Sequence, residues 1–250
     1  MSVRGRLNKS WITSFGRNNA RPSKCLIQQT VVIVIYTPPP DTGLSILHQD
    51  DYLLVVDKPS GLLSVPGRGE DRQDCLAKRV QALFPDALIV HRLDMSTSGL
   101  MVLARGKAME RALSIAFQQR RVHKCYEALV AGKCVQERGE VNLPLVTDWP
   151  NRPKQMVSFE LGKASLTRYH VMDYLPEQDA TRVCLEPITG RSHQLRVHMQ
   201  ALGHPILGDK LYAPPQVQAQ SERLLLHAAM ISLPHPVSGE VMTVSSSVPF

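Results

Sequence analysis

The stretch His91-Arg92-Leu93-Asp94-Met95-Ser96-Thr97-Ser98-Gly99 joins two apolar runs, Ala87 to Val90 and Leu100 to Ala104. Runs of that length read as buried strands. The polar segment between them then lies where a rigid scaffold hands the chain to a loop, a common place for reactive groups. One carboxylate, Asp94, stands beside the basic pair His91 and Arg92. Three hydroxyl residues and a glycine follow it. Taken alone, the pattern also fits a plain turn in which Asp94 caps backbone N–H groups and Ser96 to Ser98 are solvated.

Working outward, Tyr52 to Val56 reads as another buried strand and Lys58-Pro59-Ser60-Gly61 as a turn. A helix is predicted from an Asp74 cap to Phe84, with Leu76, Val80, Leu83 and Phe84 on one face and Pro85 as its stop. Lys107 to Gln119 reads as a second helix. Tyr126 to Val130 and Arg182 to Pro187 read as strands, as does Met156 to Tyr174 with a break at Gly162-Lys163. A helix over His193 to Ala201 follows a Ser192 cap and closes at Gly203. The irregular alternation, with several hairpins, predicts an α+β fold and not a doubly wound parallel sheet.

A chain of 250 residues can bury one large core or two small ones. Its net charge of +7 first suggests an acidic partner, but six basic residues and no acid fall in residues 1 to 40. The remainder holds 23 basic against 22 acidic side chains, so any nucleic-acid site there must be a local patch. Residues 1–43 lack periodicity and end in a Pro-rich stretch, which predicts a disordered basic arm. A true arm and a start assigned too far upstream both stay open. Residues 44–250 are expected to form one catalytic domain. The five cysteines are scattered with no C-x-x-C pair, so neither a disulfide framework nor a zinc site is expected. No apolar run is long enough to span a bilayer and no signal peptide is evident, which points to a cytoplasmic protein.

Three further segments can carry chemistry. Arg121-Val122-His123-Lys124-Cys125-Tyr126 leads into a strand, where the tyrosine ring could stack on a base for roughly 1–3 kcal/mol. Gly190-Arg191-Ser192-His193-Gln194-Leu195-Arg196 places two arginines at a helix start, and Arg196 can reach out of the core. An arginine against a carboxylate favours its ionised form. Arg105, Lys107, Arg111, Arg120, Arg121 and Lys124 form a basic cluster opposed only by Glu110, and Arg152 with Lys154 adds another. Each segment has a bland alternative: a strand tyrosine, a surface ion pair, a solvated face. His193 and His198 are five apart, which is wrong for two metal ligands on one helix face. No P-loop or dinucleotide fingerprint is present, and the leucine between Arg92 and Asp94, with no Gly-rich loop and no V-A-I-K strand, rejects a kinase catalytic loop at His91 to Asp94.

Together these segments resemble the RluA-type pseudouridine synthases. The motif His91-Arg92-Leu93-Asp94-x-x-Thr97-Ser98-Gly99 is joined by Asp57-Lys58-Pro59-Ser60-Gly61-Leu62, Lys124-x-Tyr126-x-Ala128, Gly190-Arg191-x-His193-Gln194-Leu195-Arg196-x-His198, Gly203-His204-Pro205-Ile206-x-Gly208-Asp209 and Leu226-His227-Ala228. The stretch from Asp148 to Gln155 is similar to the small members that lack an S4-like RNA-binding domain. The resemblance implies a mixed, mostly antiparallel, curved sheet with flanking helices and a central catalytic cleft. It implies isomerisation of uridine to pseudouridine, at uridine 32 of certain tRNA anticodon stem-loops and uridine 746 of a 23S rRNA hairpin. It implies Asp94, Tyr126 and Arg196 as catalytic residues, with Arg92, His91, Thr97, Arg191 and His193 binding substrate. No cofactor or metal is implied, and no protein partner, so a monomer is expected. The basic arm is outside the family pattern, and Ala164-Ser165 stands where Pro-Ala is expected. Two rival classes are a non-catalytic RNA-binding module and a hydrolase using Asp94 with His91. The second lacks a partner carboxylate or a nucleophile elbow.

Overall fold

The computed structural model of the chain describes residues 36–250. Most of the expected basic arm therefore lies outside the described residues. Of its last part, Tyr36 donates a hydrogen bond to the Asp74 carbonyl at 3.1 Å and accepts one from the Leu63 N–H at 3.0 Å.

Among the described residues, twelve strands and three helices of eight residues or more form the body. The strands are β1 (Ser45–Gln49), β2 (Leu53–Lys58), β3 (Ala87–Ile89), β4 (Ser98–Arg105), β5 (His123–Ala131), β6 (Arg138–Asn142), β7 (Leu145–Thr147), β8 (Gln155–Val157), β9 (Leu166–Leu175), β10 (Ala180–Pro187), β11 (Leu226–Pro234) and β12 (Val241–Ser245). The helices are α1 (Leu76–Leu83), α2 (Gly106–Gln118) and α3 (Gln194–Ala201). The main sheet runs β1-β2-β4-β11-β5-β10-β9-β6, with β3 also on β4 and β12 also on β11. Among the described residues only β4 and β11 pair in parallel, through Ser98 with His227 and Gly99 with Ala228. Every other pairing is antiparallel, so the sheet is mixed and the fold is α+β as expected. β7 and β8 form a separate hairpin.

The apolar run in β2 is continuous because both faces of that strand are covered. Leu53 and Val55 pack toward α2 with Leu113 and Ala116, while Leu54 and Val56 pack toward α1 with Leu76 and Val80. A third cluster lies against α3, where Leu195 and Met199 meet Ala128, Val183 and Leu226. Tyr126 packs against both the α1 cluster and the α3 cluster. It therefore marks the seam at which a cleft can open.

Three local expectations are corrected. Asp74 does not cap α1; its carboxylate is taken by Arg79 at 2.7 and 2.9 Å, and Cys75 stands at the cap without a side-chain bond. Ser192 does not cap α3 either. His193 occupies that position in a left-handed conformation, φ 55°. Finally, Cys125 and Cys184 are joined as a disulfide. The two cysteines are 59 positions apart, and their spacing gives no sign of a link that arises from the pairing of β5 with β10.

Candidate active site

The segment from His91 to Thr97 leaves β3 and returns at β4, and a dense set of hydrogen bonds holds it. The Ser64 hydroxyl donates to the Leu93 carbonyl at 2.7 Å and accepts the Leu93 N–H at 3.1 Å. The Gly61 N–H and the Lys58 ammonium both donate to the Met95 carbonyl, at 2.8 and 3.1 Å. Ser60 donates to the Ser96 carbonyl at 2.8 Å. The Thr97 N–H closes the turn on the Asp94 carbonyl at 3.1 Å. Lys58 is fully buried and also donates to the Pro59 and Leu62 carbonyls, at 2.8 and 2.7 Å. Burial pulls its ammonium down to about 7, against the opposing charge of Asp94. The turn after β2 is thus the clamp that fixes Asp94.

Asp94 faces a cleft of about 750 Å³. All eight residues singled out in the sequence line that cleft: His91, Arg92, Asp94, Thr97, Tyr126, Arg191, His193 and Arg196. They come from three separate parts of the chain, which excludes a simple solvated turn as the whole account of the Asp94 segment. One carboxylate oxygen of Asp94 stands 3.7 Å from Arg196 Nη1 and 3.8 Å from His193 Nε2. Burial raises the Tyr126 phenol well above its ordinary value, and the Asp94 charge adds to this. Its hydroxyl therefore stays protonated across the neutral range. Arg92 and Arg191 are exposed, as suits groups that meet a large polyanion at the mouth.

His91 has a different situation. Its Nε2 accepts the Val102 N–H at 2.9 Å, and its ring stacks on Phe117 with centroids 4.7 Å apart. Burial, with a smaller push from Lys124, takes the imidazole down to about 3, so it is neutral and forms part of the wall. The basic cluster is also split. Arg105 pairs with Asp86 at 3.0 Å and Lys107 with Glu110 at 2.9 Å, whereas Arg120 and Lys124 line the cleft. Arg152 lies 4.5 Å over the exposed Trp149 ring beyond β7.

Two residues that sequence reasoning gave no role complete the arrangement. Asp209 is fully buried and takes Arg196 Nε and Nη2 at 2.8 and 2.6 Å, closer than Asp94 stands. Burial works against the Arg196 guanidinium, but the Asp209 hydrogen bonds and charge outweigh it and hold the group above its ordinary value. Tyr212 lies 5.1 Å under the Arg196 guanidinium, and its hydroxyl is 2.6 Å from His193 Nδ1. The signal that could have found Asp209 is its place beside Gly208 in a motif ahead of an apolar stretch. Among the described residues no group of three or more His, Cys, Asp or Glu side chains could hold a metal ion, and no helix is long and apolar enough to cross a membrane.

The family model for RNA pseudouridylate synthase matches residues 52–201. The dual-specificity RNA pseudouridine synthase RluA of Escherichia coli (strain K12) is 54% identical over 215 residues, which is 86% of this chain and 98% of that protein. The RluA of Pasteurella multocida (strain Pm70) is 50% identical over 220 residues, covering 88% of this chain and all of that protein. A solved structure, human RNA pseudouridylate synthase domain containing 1, superposes with a TM-score of 0.70 at 31% identity over 86% of this chain and 87% of that one. With the cleft, the order of its motifs and these relatives in agreement, the chain belongs to the RNA pseudouridylate synthase family, as an isomerase of the RluA type.

Proposed function

We propose that the chain isomerises uridine in two kinds of stem-loop, the tRNA anticodon loop at uridine 32 and a 23S rRNA hairpin at uridine 746, with Asp94 as the reacting carboxylate. The observation that carries this reading is the meeting of Asp94, Tyr126 and Arg196 in one cleft with exposed arginines at its mouth. The dual-specificity name of the similar RluA proteins supports the pair of substrates. Pseudouridine is an isomer of uridine, so the reaction balances without an oxidant or an energy source: the N1–C1′ bond breaks, the base turns, C5 bonds to C1′ and gives up its proton, and N1 takes one up.

A stacked uridine cannot reach Asp94, so the nucleotide must flip out, at a cost of a few kcal/mol that is smaller in a loop than in a duplex. Arg92, exposed beside Asp94, fills the vacated space. The Tyr126 ring stacks on the uracil, and its protonated hydroxyl can pass a proton but not act as a phenolate base. Arg196 Nη1 sets a positive charge 3.7 Å from the Asp94 carboxylate that attacks or removes a proton. His91 and Thr97 shape the wall, Arg191 and His193 contact the nucleotide, and the protein acts as a monomer.

Release of tritium from C5-labelled uridine in two short transcripts, an anticodon stem-loop and the 23S hairpin, tests this. The wild type should release tritium from both, and Asp94→Asn from neither while binding both RNAs. Binding without release by the wild type would leave a non-catalytic RNA-binding module as the reading.

A further inference from the structure

Tyr212 lies outside the cleft wall, yet it touches two wall residues, His193 and Arg196. It is buried, and its hydroxyl accepts the Gln155 N–H at 2.8 Å. The same oxygen is 2.6 Å from His193 Nδ1, and the two rings meet edge to face, with centroids 5.5 Å apart. A phenol has one proton to donate. With Gln155 occupying one lone pair, the acceptor within reach of the Tyr212 O–H is His193 Nδ1. The reverse arrangement, with Nδ1–H donating, would leave a buried O–H without a partner, which costs about 1–3 kcal/mol.

We propose that Tyr212 is a positioning residue that fixes the tautomer of His193, holding the proton on Nε2, the nitrogen that faces Asp94. This rests on reading the cleft as the pseudouridine synthase site. A neutral imidazole carries a single proton, and which nitrogen holds it is set by the partner of the other. With Nδ1 accepting from Tyr212, an N–H and not a lone pair points at the Asp94 carboxylate 3.8 Å away. That N–H is a donor to Asp94, or to a substrate oxygen that enters between them. The opposite tautomer would aim a lone pair at an anion.

Two further observations fit. His193 is held at φ 55°, a left-handed conformation that costs a non-glycine residue energy and persists only when its surroundings over-determine it. Burial lowers its imidazole below the ordinary value, Arg196 and Arg92 push the same way, and Asp94 and Asp209 oppose them, so the neutral form prevails at pH 7. The backbone N–H that takes the other lone pair of Tyr212 belongs to β8. The hairpin bearing Trp149 and Arg152 is thereby tied to the ring that orients His193.

The test is ¹⁵N NMR of the full chain labelled at histidine, with the His193 signals assigned by their loss in His193→Gln. Wild type at pH 7.5 should show a protonated Nε2 and a bare Nδ1. Tyr212→Phe should shift both nitrogens toward the averaged values of a mixed population. A protonated Nδ1 in the wild type overturns the proposal without recourse to any variant, as does an unchanged tautomer in Tyr212→Phe. In the tritium assay Tyr212→Phe should lower kcat about tenfold, the scale of one misdirected hydrogen bond, with KM within about twofold. It should cause no further loss in a His193→Ala background, and a full additive loss there overturns the route through His193. If no protein releases tritium but the tautomer shifts as stated, the functional reading fails and the role of Tyr212 stands.

Discussion

Arg196 is bound to Asp209 through two parallel hydrogen bonds, 2.8 and 2.6 Å, with the Asp209 side chain wholly out of solvent. The same carboxylate accepts the Leu211 and Tyr212 N–H groups at 3.0 and 3.2 Å. This is a buried, two-point ion pair, and it leaves Arg196 Nη1 3.7 Å from Asp94. Removing one member strands the other. Asp209→Asn should lower the unfolding free energy by about 3–5 kcal/mol, measured by urea titration. Arg196→Lys cannot span both oxygens and should cost roughly tenfold or more in turnover. Loss of under about 1 kcal/mol in Asp209→Asn would mean the pair does not hold the arginine.

His91 sets an acid limit on stability. In the folded chain its lone pair is spent on the Val102 N–H, and burial takes it to about 3 from an ordinary 6.5. Between those values the unfolded chain binds the extra proton and the folded one does not. This group's contribution is therefore complete above pH 6.5 and is lost as pH falls toward 3. In His91→Gln, which keeps an acceptor but does not titrate, the decline in unfolding free energy over that window should be shallower. Urea titrations at pH 7, 5.5 and 4.5 compare the slopes, and parallel slopes would remove His91 from the account.

Lys58 satisfies three carbonyls from three different positions, Pro59, Leu62 and Met95, and one of them belongs to the Asp94 turn. Lys58→Met preserves length and apolar bulk but leaves the Pro59 and Leu62 oxygens without this donor and Met95 with the Gly61 N–H alone. Each unsatisfied buried acceptor costs about 1–3 kcal/mol, so with two of them a loss of about 2 kcal/mol or more is expected. Turnover should fall with it, because the Met95 carbonyl, one residue from Asp94, loses one of its two donors. Amide hydrogen exchange offers the direct check: protection should drop at Gly61 and Thr97, whose N–H groups close this turn. Unchanged protection there would show that the backbone bonds suffice.

The order of motifs made Asp94, Tyr126, His193 and Arg196 legible, because each stands in a short stretch whose neighbours are also constrained. What could not be read are roles created by pairing at a distance. Lys58 reaches Met95 from 37 positions away, and Asp209 reaches Arg196 from 13. The α+β class followed from the alternation of apolar runs, but β11 was read only as the motif Leu226-His227-Ala228. That strand sits between β4 and β5, so its first four residues are all buried and alternation begins only at Met230. The failed Asp74 cap has a local cause. Arg79, five positions on, offers that carboxylate two charged donors.

Gly99 tests how the Asp94 segment is anchored at its far end. It sits in β4 at φ 112°, opposite Ala228, in the one parallel pairing of the sheet. A Cβ at that position would fall on the Ala228 backbone itself, which cannot rotate away as a side chain could. Gly99→Ala therefore meets two costs at once, a backbone angle L-residues rarely adopt and a forced separation of β4 from β11. Each is of order 1–3 kcal/mol, so a loss of about 3 kcal/mol or more is expected. The neighbouring bond from Ser98 to His227 Nδ1, 2.8 Å long, would be stretched with them. Turnover should drop further than stability alone explains, because Ser98 and Thr97 carry the displacement back toward Asp94. Tritium release assayed well below the variant's unfolding midpoint separates the two effects. Full activity there would show that the Asp94 turn is held from the Lys58 side alone.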